Sequence, residues 1–155
     1  MEACASLVAM TRSPRLSPRL QLIVDALPLL VDSRVLEIGC GPGAAARAVA
    51  ARLETGHVLA VDRSAAAIAQ AKAAGAEEIA TGRLEFRQVA AEEFELQPGE
   101  EPYDIVFAVR VGALDGRHPR AGERVLERIA RATTPGARLF VDGGDPLREV
   151  RIPRT

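Results

Sequence analysis

The chain has 155 residues, with 20 Lys and Arg against 21 Asp and Glu and a formal net charge of −1. That length supports one domain around a single core. The charge balance makes nucleic acid a poor partner, and no apolar run approaches the ~20 residues of a membrane span. Two cysteines, Cys4 and Cys40, read as reduced thiols of a cytoplasmic protein, because a bridge between them would clamp a terminus onto an interior loop. Every basic residue but Lys72 is arginine, and the Ala, Arg, Gly and Pro content points to GC-rich, bacterial coding.

Residues 1–16 read as a flexible leader: Glu2 stands where a signal peptide would be basic, and Met10 offers a second start. Residues 17–155 then form one domain. Ser17-Pro18 predicts a capped helix over 18–27. A short apolar strand over 35–38 suits a parallel sheet covered on both faces, and an Ala-rich helix over 44–53 must pack closely on it. A second strand over 57–61 ends at Asp62. Ser64 caps a helix that Gly75 weakens before it runs on to Gly82. Residues 84–89 alternate as a third strand, and a short acidic helical turn over 91–94 follows. The turn chemistry of 97–102 leads into a fourth strand over 103–109.

Residues 110–120 are the longest irregular stretch, with Arg110, Asp115, Arg117, His118 and Arg120 among Gly112, Gly116 and Pro119. Loops of that length are disproportionately functional. An amphipathic helix over 123–132 is expected to stop at Pro135-Gly136, and a fifth strand to occupy 137–141. Strands alternating with helices predict an α/β fold, a Rossmann-like doubly wound and mostly parallel sheet with helices on both faces. The C-terminal strands are expected to be truncated: 143–155 supply either one antiparallel edge strand or a tail that leaves the fifth strand for a second subunit, in a homodimer, to cover, and with either the second subunit can instead lid the acceptor site.

The first strand opens into Gly39-Cys40-Gly41-Pro42-Gly43, a loop whose glycines let backbone approach a ligand at the start of a helix. Gly39, Gly41 and Ala44 fit the spacing of a dinucleotide site. Glu37, two residues before Gly39, has no use beside a pyrophosphate. It does suit a ligand carrying an ammonium and a sulfonium, each a cation at short range.

With these residues the chain resembles the class I S-adenosylmethionine-dependent methyltransferases, and more narrowly small bacterial members with a methyltransferase-11-like domain. The resemblance runs over about 17–142. It rests on Val35-Leu36-Glu37-Ile38-Gly39-Cys40-Gly41-Pro42-Gly43, on Val61-Asp62-Arg63-Ser64, on Tyr103-Asp104-Ile105-Val106-Phe107, and on Thr134-Pro135-Gly136-Ala137-Arg138-Leu139. It implies that S-adenosylmethionine is the cofactor, with Gly39, Cys40, Gly41 and Gly43 against its methionine moiety and ribose and Glu37 holding the amino group. Asp62 would accept from both ribose hydroxyls. Ala90 stands where the family often has an Asp for adenine, which leaves that base to Arg63, Ala91 and Glu92; Val109 would line the cofactor from the fourth strand.

The implied activity is methyl transfer by in-line displacement to a small-molecule acceptor bordered by 110–120. Such chemistry needs no strong base, and no catalytic residue is assigned. His118 can take a proton from an acceptor or simply be solvated, and the arginines can select an anionic acceptor or solvate a loop. Asp104, at a strand's start, reads as structural, and Cys40 as a small residue in a crowded loop. The alternatives are a non-catalytic binder of S-adenosylmethionine or its demethylated product that keeps the fold, and, on the dinucleotide spacing alone, an NAD(P)-binding oxidoreductase.

Overall fold

The computed structural model describes residues 16–154; the cysteine at position 4, the second start and the leader up to 15 lie outside them. Leu16, assigned to the leader, packs against the core. In chain order the elements are α1 (Pro18–Ala26), β1 (Arg34–Ile38), α2 (Ala44–Ala50), β2 (His57–Asp62), α3 (Ala65–Ala74), α4 (Ala76–Ala80), β3 (Leu84–Gln88), a 3-10 turn (Ala91–Glu93), β4 (Tyr103–Ala108), α5 (Pro119–Ala132), β5 (Thr133–Asp142) and β6 (Leu147–Val150).

The strands form one sheet in the order β3-β2-β1-β4-β5-β6. All pairings are parallel except that of β5 with β6. This is the doubly wound arrangement expected from the alternation of strands and helices. Because strand residues alternate between faces, Val35, Val58, Ala60, Ile105 and Phe107 build one apolar layer with α1, α2 and α3. Leu36, Ile38, Leu59, Val61 and Val106 build the other with α5.

Local capping works as its chemistry predicts. The Ser17 hydroxyl accepts the Leu20 N–H at 3.2 Å with Pro18 opening α1, and the Ser64 hydroxyl accepts the Ala67 N–H at 3.1 Å. Gly75 divides the expected long helix into α3 and α4. The helix expected over 44–53 ends regular geometry at Ala50 and closes in a turn, with the Arg52 and Leu53 amides donating to Val49 and Ala50.

Three expectations at the C-terminal half change. α5 starts at Pro119, not at 123, since the ring of Pro119 presets the first helical turn; the irregular stretch therefore ends at His118. Pro135-Gly136 does not stop that helix, which gives way at Thr133 to extended backbone. β5 begins there and runs through the Pro-Gly pair by a register shift, with Tyr103 opposite Thr133 but Ile105 opposite Arg138. The extra residues bulge out where Pro135 needs no ladder partner. Of the two readings of the tail, the edge strand holds: β6 pairs antiparallel with β5 from Leu139↔Val150 to Asp142↔Leu147, and Ile152 beyond it is buried. The chain itself covers the β5 edge with β6.

Candidate functional site

A cleft of about 650 Å³ opens at the carboxyl ends of β1, β2 and β4. β1 has β2 on one side and β4 on the other, so this is where strand order reverses and where doubly wound sheets hold ligands. Its size matches small-molecule sites. Of the residues predicted to touch a ligand, Gly39, Asp62, Arg63, Ala91 and Glu92 line it.

Asp62 ends β2 and turns back toward the glycine loop. Its Oδ2 accepts the Gly41 N–H at 2.9 Å and its Oδ1 accepts the Ser64 N–H at 2.9 Å. Two bonds leave lone pairs free on a carboxylate. The loop itself is left-handed at Gly39 (φ 69°), Gly41 (φ 54°) and Gly43 (φ 88°). At Gly39 a Cβ would also stand 2.7 Å from Val111 Cγ2, so the chain after β4 rests directly on this glycine.

Glu37, Cys40, Gly41, Gly43 and Val109 are outside the cleft wall. Gly43 faces the core: a Cβ there would meet Phe86 Cζ at 2.6 Å. Its missing Cβ serves helix-to-sheet packing. Cys40 is buried and its Sγ donates to the Gly41 carbonyl at 3.4 Å; burial, then the charges of Glu37 and Asp62, push its thiol pKa up. A thiol so suppressed is no nucleophile. Val109 packs into the apolar layer of α1 to α3, on the opposite face from Ala108 and Val111, because alternation persists one residue beyond the strand.

Glu37 faces the same layer as Val35, behind the glycine loop, and is only 3% exposed. Burial, with a smaller contribution from Asp62, raises its pKa from 4.5 to about 8. Its Oε1 is buried with no hydrogen-bond partner. Orphaned acceptors of this kind are uncommon in native interiors and call for a donor. The atom sits one residue behind Ile38 and two behind Gly39, both of which line the cleft.

The opposite wall is made by Arg110, Val111, Gly112, Ala113, Arg117 and His118. Of the charged residues expected to border an acceptor, Arg110, Arg117 and His118 are brought together there, while Asp115 and Arg120 are not. Asp115 instead accepts from Arg117 Nε at 2.8 Å. Arg110 holds φ 58°, an uncommon conformation for a side-chain-bearing residue. Its N–H donates to Asp142 Oδ1 at 2.9 Å, and Asp142 Oδ2 accepts from Arg19 at 2.6 Å. The end of β5 thus pins the turn that aims Arg110. No local pattern marks Asp142, whose partners are distant in sequence. Asp104 is structural as expected: it accepts the Arg34 N–H at 3.1 Å across the β1–β4 edge. Among the described residues no group of His, Cys, Asp and Glu is placed to hold a metal ion, and no helix is long and apolar enough to cross a membrane.

A family pattern described as a methyltransferase domain matches residues 35–136. The chain is 31% identical to a trans-aconitate 2-methyltransferase of Methylobacterium nodulans over 82% of its own length and 44% of that protein's. It is 30% identical to a ubiquinone biosynthesis O-methyltransferase of Aeromonas salmonicida over 79% of its length and 48% of that protein's. The chain therefore spans less than half of these relatives. Among solved structures, the fold matches a SAM-dependent methyltransferase of Geobacter sulfurreducens in complex with S-adenosyl-L-homocysteine, with a TM-score of 0.62 and 23% identity over 81% of this chain and 48% of that one.

Proposed function

Because the chain belongs to the methyltransferase-domain family, within the class I S-adenosylmethionine-dependent methyltransferases, we propose that it binds S-adenosylmethionine in the cleft and transfers its methyl group to a small molecule. The observation that carries the reading is Glu37 Oε1, a buried acceptor without a donor directly behind the glycine loop. The ligand's ammonium would supply that donor, and its charge would draw the carboxyl back to the ionised form.

The other site residues fit the same ligand. Asp62 keeps free lone pairs for ribose hydroxyls while holding Gly41. Arg63, Ala91 and Glu92 border the cleft where adenine would lie. Arg128 Nε, donating to the Glu92 carbonyl at 3.1 Å, fixes the backbone there. Bound S-adenosylmethionine supplies a methyl group already activated by a positive sulfur. The protein's task is to hold an acceptor in line with it and keep water out, and orientation of that kind supplies much of a rate enhancement.

The acceptor belongs to the small-molecule class. Relatives are named for trans-aconitate and for ubiquinone biosynthesis, and a balanced charge gives nucleic acid little purchase. The free Cys40 favours a reducing, cytoplasmic setting. A dinucleotide reading leaves Glu37 unexplained, and a binder without turnover would share the cofactor half of the site but not the transfer.

Thermal shift with S-adenosylmethionine, S-adenosylhomocysteine and NAD tests the reading. Stabilisation by both sulfur ligands and none by NAD is expected. No shift with either sulfur ligand overturns it. Turnover with a panel of small acceptors then separates enzyme from binder.

A further inference from the structure

The cleft is polarised. Asp62 and Glu92 stand on the side of β2 and β3, whereas Arg110, Arg117 and His118 stand on the side of β4 and α5. Arg63 is the cation among the carboxylates. The cationic side is more than a solvated loop, because two of its members, Arg117 and His118, converge on Gly112 while Arg110 lines the same wall. A Cβ built on that glycine would lie 2.8 Å from His118 Cδ2, 3.3 Å from His118 Nε2 and 3.3 Å from Arg117 Nη2. The guanidinium of Arg117 and the imidazole of His118 thus both lie against the open side of this glycine on the cleft wall.

Their charges are incompletely spent. Arg117 is bound to Asp115 through Nε, which leaves Nη2 turned toward Gly112. The Arg110 guanidinium has no ion-pair partner among the described residues. Its backbone is nevertheless held in a strained turn by Asp142. Strain maintained around a residue whose side chain is unpaired is a pattern found at functional sites.

Resting on the methyltransferase reading above, we propose that Arg110, Arg117 and His118 form a carboxylate-binding subsite, and that the methyl acceptor is an organic polyacid held there by one of its carboxylates. A planar guanidinium matches a carboxylate with two parallel N–H donors. A second guanidinium and a ring nitrogen on the same cleft wall provide further donors for the same group or its neighbour. The opposing charges of Asp62 and Glu92 would keep such an acceptor off the cofactor side, so one polarised cleft sorts both ligands.

Calorimetry on the 155-residue chain tests this in two steps. S-adenosylhomocysteine is titrated first. Trans-aconitate, its neutral trimethyl ester and inorganic phosphate are then titrated into the saturated protein. The expected result is binding of trans-aconitate, none of the ester, and weaker binding of phosphate. Arg110→Gln and Arg117→Gln should each lower trans-aconitate affinity at least about tenfold, leave S-adenosylhomocysteine affinity within about twofold, and melt with the parent. Arg120→Gln, in the first turn of α5 and outside the cleft lining, should change nothing. If S-adenosylhomocysteine binds but trans-aconitate does not, or binds equally well to both variants, the subsite is overturned and the methyltransferase reading stands. Phosphate binding tighter than trans-aconitate overturns the carboxylate assignment. If S-adenosylhomocysteine does not bind, both readings fall.

Discussion

The carboxylate of Asp62 accepts the N–H of Gly41 at 2.9 Å, so the residue that ends β2 also holds the glycine loop that follows β1. Asp62 is therefore a structural member of the loop before any ligand arrives. Asp62→Ala should strip an acceptor from the Gly41 and Ser64 amides and cost about 1–3 kcal/mol of stability. For a chain of this size that lowers Tm by roughly 2–4 °C per kcal/mol. A ligand-free Asp62→Ala protein that melts with the parent would show that the loop keeps its shape unaided, and would confine Asp62 to ligand contact.

Glu37 makes stability depend on pH in an unusual direction. Its pKa is raised in the folded chain from 4.5 to about 8, by burial first and Asp62 second. Between those values the folded chain keeps a proton that the unfolded chain has released, so this residue's contribution to stability falls as pH rises from about 4.5 to about 8 and levels off above that. Glu37→Gln should lose that slope: its Tm relative to the parent rises from pH 5 to pH 8. Parallel curves for the two proteins would refute the buried, protonated carboxyl. The same proton should leave when a ligand ammonium arrives. Binding heats for S-adenosylmethionine at pH 7 should then vary with buffer ionisation enthalpy in the parent and not in Glu37→Gln.

Two glycines of one loop should respond differently to alanine. Gly43 is left-handed and its missing Cβ is filled by the Phe86 ring, so Gly43→Ala combines backbone strain with overpacking and costs roughly 2–4 kcal/mol. Gly41 is left-handed too but has nothing within 4 Å of its Cβ position, leaving about 1–2 kcal/mol of strain alone. Denaturant unfolding of both variants decides. Equal losses would mean that Phe86 moves aside freely, and the packing role of Gly43 would fall.

On the adenosine side, Glu92→Ala should weaken S-adenosylhomocysteine severalfold while leaving Tm unchanged, because the backbone at Glu92 is held by Arg128 and not by the lost side chain. Unaltered affinity in calorimetry would remove Glu92 from the site and leave adenine to backbone around Ala91.

What could be read from the chain follows the range of the interaction responsible. Alternation of strands and helices, serine caps and the apolar β1 run are local, and each predicted its element. The loop from Gly39 to Gly43 and the carboxylates at Glu37 and Asp62 were visible because chemistry there is concentrated in neighbouring residues. Gly43 carries the same loop signal, yet its conformation answers to Phe86, 43 residues on. Pro135-Gly136 looks like a helix stop in isolation and becomes a bulge only because β5 pairs with β4 on both sides of it, at Thr133 and again from Arg138. The role of Asp142, bridging Arg19 and the Arg110 amide, depends entirely on tertiary contact and left no trace in sequence pattern.

That bridge leads to a prediction in which stability and binding separate. Arg110 sits at φ 58°, which costs a residue with a side chain about 1–2 kcal/mol, and glycine would relieve it. Arg110→Gly keeps the N–H that donates to Asp142, so the turn itself survives. Against the relief stands the greater freedom of glycine in the unfolded chain, about 0.5–1 kcal/mol. The variant should accordingly melt at or slightly above the parent temperature. It would also remove the guanidinium from the cleft, and trans-aconitate affinity should drop by at least about tenfold. A protein that tolerates strain for the sake of a ligand contact shows this opposition of signs. Loss of stability with undiminished trans-aconitate binding would reverse both signs and assign Arg110 to the fold instead of the acceptor.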